Sequence, residues 1–187
     1  MSIGLVENNR LRPVHPRRRK RQGGASLVEA AVIILPFFAL FFALFDYGMA
    51  LFLTNTMQFA VRQGVRYAVT SQTMNGLGQD DSIRSTVNTY SFGFLSYLAP
   101  GPPKTTCTGT ACVTVTYYHQ DTSVSPPTLT NAGTGAGSNA SGNVVVVSAS
   151  GLAYSWMIPL LRTNTALNIS VSSADIMEGQ PNGAPTR

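Results

Sequence analysis

Two carboxylates stand in an otherwise apolar stretch of this chain. Glu29 is the fifth residue after Gly24, at the mouth of a membrane-length segment, and Asp46 interrupts that segment further on. A carboxylate in such surroundings is costly in lipid, so each calls for a reason. Two cysteines, Cys107 and Cys112, flank Thr-Gly-Thr-Ala. Four intervening residues suit a tight loop closed by a disulfide. Metal binding is the weaker reading, because no second cysteine pair and no nearby histidine completes a tetrahedral set. His15 and His119 each stand alone, and no serine sits in a Gly-x-Ser-x-Gly context. No enzymatic constellation, metal site or cofactor motif is read here.

The elements that would position these groups begin with a basic run, Arg17-Arg18-Arg19-Lys20-Arg21, followed by Gly23-Gly24 and Ala25. Residues 30–45, AAVIILPFFALFFALF, carry no charge, and the apolar character continues through Tyr47-Gly48-Met49 to Leu53. About 20 apolar residues cross a bilayer, so the segment is long enough. A removed secretory signal has a similar outline. It fits less well, because the apolar run is too long, Glu29 sits in its entrance and no small-x-small site precedes a polar start. Pro36 cannot donate its backbone hydrogen bond, and a kink is expected near residues 32–36. Asp46 would lie roughly 25 Å along a helix from Ala30, at about 1.5 Å per residue. Exposure at the outer interface is the expectation for it, and pairing with a cation on a partner helix is the alternative.

The helix is expected to continue past the membrane. Met57, Ala60, Val61, Gly64, Val65 and Ala68 recur at three- and four-residue spacing, while Gln58, Arg62, Gln63 and Arg66 fall elsewhere around the helix. From Ser26 to Ser71 it would measure about 69 Å, so its outer part must pack on a folded domain. Ala60, Gly64 and Ala68 form a seam of small residues at every fourth position. That seam suits close approach of another backbone, either the chain's own sheet or a helix in an assembly.

Beyond it, residues 74–82 carry loop breakers, and Asp81 or Ser82 is placed to cap a short helix through about Tyr90, with Ile83, Val87 and Tyr90 on one face. Pro100, Pro102 and Pro103 end helical regularity. The β-branched runs Val113–Tyr118 and Val144–Ser148 read as strands, as does the alternating stretch 165–176, with Leu167, Ile169 and Val171 on one face. Residues 123–143, rich in Pro and then in Gly and Ser, read as a long mobile loop. The fold class is therefore α+β: a long N-terminal helix on a small antiparallel sheet. Its parts are a leader at 1–24, a membrane helix at 25–53 and a folded domain at 54–187, comprising the helix extension 54–71, the loop and short helix 74–103 and the sheet 104–178.

Charge excludes one class. The net +5 is concentrated before Ala25, in Arg10, Arg12 and the run 17–21, and the remainder is close to neutral. A neutral domain offers no footprint for nucleic acid. Basic residues beside a membrane segment hold that end in the cytoplasm, which places the rest, cysteines included, on the oxidising side. A nuclear-localisation or heparin-type patch would have no reason to abut an apolar span.

A basic leader, Gly24, and Glu29 as the fifth residue thereafter resemble a type IV prepilin. More narrowly, the Val-Glu step, the early Pro36, the Asp46-Tyr47-Gly48 step and Val61-Arg62-Gln63-Gly64-Val65-Arg66-Tyr67-Ala68 resemble the TadE-like family of pseudopilins. The resemblance covers about 50 residues. It implies a minor pilin-like component of the tight-adherence (Flp, type IVc) pilus or a related secretion machinery, with no catalytic activity. It also implies a prepilin-type cleavage site at Gly24–Ala25 and a role for Glu29 in assembly, its carboxylate pairing with the N-terminal amine that cleavage exposes. The implied partners are the membrane, other pilin-like subunits, the assembly platform and a prepilin peptidase. The implied location is the bacterial inner membrane, with the domain periplasmic. The alternative is a single-pass envelope protein whose periplasmic domain binds a ligand independently of any pilus.

Overall fold

The computed structural model describes residues 23–98, 109–156, 166–180 and 183–187. The basic run, Cys107, the prolines at 100–103 and the stretch 157–165 lie outside them. The chain divides into two compact units, residues 1–38 and 39–187. One helix, α1 (Gly23–Val69), has residues in both and contains Pro36.

In the first unit the helix presents Leu27, Val28, Val32, Ile33 and Phe37 to the outside, each more than half exposed. In the second unit the same helix becomes amphipathic. Ala50, Leu53, Met57, Ala60, Val61, Val65 and Ala68 are buried at three- and four-residue spacing, and Arg62 and Arg66 remain outside. The helix stops at Ser71, whose φ of 54° is left-handed and whose N–H returns to the Ala68 carbonyl. The α+β class expected from the sequence is what the structure has.

The second helix, α2 (Gln79–Tyr90), begins three to four residues earlier than expected. Its cap is Gly78, without a side-chain hydrogen bond. Ser82 lies inside the helix instead of capping it, its hydroxyl donating to the Gly78 carbonyl at 2.7 Å, and a Cβ at Gly78 would sit 2.4 Å from the Arg187 carbonyl carbon. Gln79 is then turned inward and donates to the Ala68 carbonyl at 3.2 Å. Helical regularity also persists further than the proline-rich sequence suggests. Phe92 and Gly93, at φ 51° and 82°, turn the chain into a one-turn helix, α3 (Phe94–Tyr97). Leu95 and Leu98 are thereby plugged into the core.

The sheet has four antiparallel strands in the order β2-β1-β3-β4: β1 (Val113–Asp121), β2 (Thr128–Asn131), β3 (Val144–Tyr154) and β4 (Leu167–Ile176). A 3-10 turn, Gly109–Cys112, leads into β1. Strand β2 lies within the stretch expected to be loop throughout. Its threonines suit an edge strand, and it pairs with the far end of β1 through Tyr118–Asn131 to Asp121–Thr128. Ser138 and Asn139 in the same stretch are buried.

On β3 the odd positions Val145, Val147 and Ala149 face the core, and then the phase changes. Ala149 opposes Val171, but Leu152 opposes Ile169, so β3 has gained one residue. Gly151, at φ 75°, is what lets the backbone bulge. After it the even positions Leu152 and Tyr154 point inward, both essentially fully buried. Strict alternation would have turned them out.

Candidate functional site

The residues implied in processing and assembly lie on the first unit's helix. Gly24 and Ala25 fall in the first turn of α1, and nothing approaches within 4 Å of where a Gly24 side chain would be. Glu29 is exposed one turn on, among Leu27, Val28, Val32 and Ile33. Among the described residues no ion pair involves it. The helix therefore displays a carboxylate on an apolar surface, available to a cation brought from elsewhere.

In the second unit, Asp46 corrects the expectation of an exposed carboxylate. It is 2% exposed, and its Oδ1 accepts a hydrogen bond from the Tyr154 hydroxyl. This partner comes from β3 of the same chain. The bulge at Gly151 is what delivers it, and Trp156 packs edge-on to the Tyr154 ring at 5.7 Å. Asp46 is also the first buried residue of α1, since none from Ser26 to Phe45 is buried. Beside it, Phe41, Leu44, Phe45, Gly48, Met49 and Phe52 line a shallow apolar recess of about 340 Å³.

The seam of small residues is buried at all three positions, Ala60, Gly64 and Ala68. At Gly64 the neighbour is α2: a Cβ there would come within 2.5 Å of Val87 Cγ2 and 3.6 Å of Ile83 Cγ2. The close approach is thus to another helix of the same chain, where the sequence reading offered the sheet or an assembly. Cys112 is buried at the end of the 3-10 turn.

Sequence reasoning missed a second polar cluster. The Arg187 guanidinium grips Asp80 through Nη2–Oδ2 at 2.7 Å and Nε–Oδ2 at 3.1 Å, and lies 4.6 Å over the Tyr117 ring. Tyr117 donates its phenol proton to Asp80 at 3.0 Å. The segment ending in Arg187 is held further by Gln79 N–H to the Thr186 carbonyl at 2.8 Å and Asn139 Nδ2 to the Pro185 carbonyl at 2.9 Å. No local periodicity signals contacts of such sequence separation. For Tyr154, a glycine inside a strand followed by Tyr and Trp was the available clue.

Both buried phenols hold their protons tightly. Burial pushes Tyr154 well above the ordinary tyrosine range, helped by its bond to Asp46 and by that carboxylate's charge. Tyr117 is raised likewise, by burial first and then by Asp80. A pKa raised on folding contributes stability that is fully present below the unfolded value, about 10, and is lost as pH rises. Alkaline titration should therefore ionise fewer of the seven tyrosines in the folded protein than in the denatured chain. Unfolding should release the remaining protons. Difference absorbance of native and denatured samples reads this directly, and equal ionisation at each pH would contradict the two buried hydroxyls.

Comparison with known proteins bears out the resemblance seen in the residues. Residues 24–66 match the TadE-like protein family. Comparisons with curated proteins and with solved structures find no match. The matched segment contains Gly24, Glu29, Asp46 and Gly64, so it runs from the exposed carboxylate, past the Tyr154 contact, to the α2 contact. Over that segment the chain is similar to the TadE-like protein family.

Proposed function

We propose that the chain is a membrane-anchored, pilin-like structural subunit, a pseudopilin or minor pilin of a Tad/Flp type IVc pilus or related secretion machinery, and that it has no catalytic activity. The observation that carries this reading is Glu29, exposed on an apolar helix inside the segment that matches the TadE-like family. A group this costly in lipid is retained where it meets a charge, and none of the described residues of the chain supplies one. The cation is the N-terminal amine of a processed subunit, its own or a neighbour's. The helix crosses the inner membrane once: residues 26–69 of α1 are long and apolar enough to do so. The basic leader stays cytoplasmic and the sheet domain is periplasmic.

Two further parts of the reading concern covalent state. Gly24 stands clear of other groups, which suits cleavage of the Gly24–Ala25 bond by a prepilin peptidase. Cys107 bridges Cys112, supported by the disulfide-bonded state of Cys112 in a chain with two cysteines. Non-reducing intact-mass analysis of the native membrane protein should give a chain starting at Ala25 and lighter by the two thiol hydrogens. A Met1 or Ser2 terminus would end the cleavage proposal, and two free thiols would end the bridge.

Glu29→Ala separates assembly from simple anchoring. If Glu29 pairs with an amine, the variant should remain stable and membrane-bound while piliation is abolished. Glu29→Gln should fail as well, because the charge is what pairs. Normal piliation and surface adherence with Glu29→Ala would instead favour an envelope protein that works independently of a pilus.

A further inference from the structure

The strand order leaves β4 and β2 as the two edges of the sheet. Along a strand, alternate residues turn both backbone groups to the same side. Met177, directly after β4, accepts from the Gly142 N–H and donates to the Asn143 carbonyl, so the odd positions of β4 face β3. The even positions, Asn168 to Ile176, turn their N–H and C=O groups outward. Gln58 of α1 covers one of these, donating to the Ser172 carbonyl at 3.1 Å, and Asp175 Oδ1 accepts from the Ile176 N–H at 2.8 Å. Among the described residues no hydrogen bond engages the backbone of Asn168 or Ser170. On the other edge, the Ala132 N–H donates to the Tyr117 carbonyl, so the even positions of β2 face β1 and Leu129 and Asn131 turn outward. Each edge thus offers two successive outward residues with free donors and acceptors. Residues 167–174 and 128–131 carry no charge, so the two edges can meet without repulsion.

We propose that the β4 edge of one copy pairs with the β2 edge of a second copy, Asn168 and Ser170 bonding Asn131 and Leu129 in an antiparallel ladder. The proposal rests on the reading that α1 anchors every copy in one membrane, and deepens it by naming a contact between subunits. The direction of α1 selects this pairing. Asp46 lies at Tyr154, which is paired with Leu167, while Gln58 lies at Ser172 and the Val69 carbonyl accepts from the Glu178 N–H. From Asp46 to Val69 the helix advances about 35 Å at about 1.5 Å per residue, and from Leu167 to Glu178 extended chain advances about 36 Å at about 3.3 Å per residue. Helix and strand therefore run side by side in the same direction. Because β1, β3 and β4 alternate in direction and β2 is antiparallel to β1, β2 runs against α1. Antiparallel pairing of β4 with β4, or of β2 with β2, would turn one anchor upside down. A symmetric parallel pairing of like edges fails as well, because each outward residue would face its own copy instead of the gap between two. Pairing β4 with β2 keeps every α1 parallel and on the same face of one continuous sheet. Each copy then has one edge of each kind, so the contact does not close on a pair and extends into a row.

Oxidative cross-linking tests this with the full chain in phosphatidylethanolamine/phosphatidylglycerol vesicles, read by non-reducing electrophoresis. A chain carrying both Leu129→Cys and Ser170→Cys should give a ladder of dimers, trimers and longer species, and either substitution alone should give monomers. Adding Asn168→Pro, which removes an outward N–H and no bond to β3, should abolish the ladder. A ladder that survives this proline, or one equally strong from Leu129→Cys with Thr70→Cys, would show collision without strand pairing and overturn the proposal. Dimers from a single substitution would show like edges meeting and would also overturn it. Monomers from the Leu129→Cys, Ser170→Cys chain, with the protein still resisting alkaline carbonate extraction, would overturn the edge contact and leave the span standing. Release of the protein by carbonate would remove the span and the proposal with it.

Discussion

A single helix that is apolar on every side at one end and half-buried at the other must change its surroundings at a defined residue. In α1 that residue is Asp46. Up to Phe45 no side chain of the helix is buried, and from Asp46 onward Ala50, Leu53 and Met57 enter a core. Removing a carboxylate from water costs several kcal/mol unless hydrogen bonds replace the water. The Tyr154 hydroxyl supplies one of them. The contact joins the start of the docked helix to the last residue of β3, so helix and sheet are registered to each other by a polar bond that slippage would break.

That bond depends on an irregularity in the sheet. Val145, Val147 and Ala149 pack on the core by simple alternation, and the same alternation continued would point Tyr154 away from it. The extra residue at Gly151 reverses the phase. The small seam on α1 has the complementary role on the other side. Gly64 lets Val87 and Ile83 of α2 approach the helix backbone, and α2 in turn carries Asp80 to the Arg187 and Tyr117 cluster. The Glu29 carboxylate forms no ion pair among the described residues and stays exposed on an apolar helix surface.

Much of this was legible in the residues. The long helix, its buried face from Met57 to Ala68 and three strands follow from periods of 3.6 and 2, which report local burial. The family resemblance rested on local motifs and held over residues 24–66. What escaped depends on long-range geometry. The burial of Asp46 requires a tyrosine more than a hundred residues away, made to face inward by a bulge. The first turn of α2, which starts earlier than expected, makes long-range contacts, Gln79 with the Ala68 carbonyl and Asp80 with Arg187. Strand β2 is short and exposed at every position, so it has no hydrophobic alternation to read. Helix α3 forms because two successive left-handed residues redirect the chain, a choice that the sequence Phe-Gly-Phe permits without announcing.

The central claim, that Asp46 and Tyr154 bond across the helix–sheet junction and thereby register the helix to the sheet, is open to a double-mutant cycle. Asp46→Asn, Tyr154→Phe and the double variant would be compared by denaturant unfolding of the purified, detergent-solubilised protein. A direct bond predicts that the two single changes together cost more than the double change, by about 1–2 kcal/mol. Additivity within about 0.5 kcal/mol would mean that the two side chains do not interact and would contradict the account.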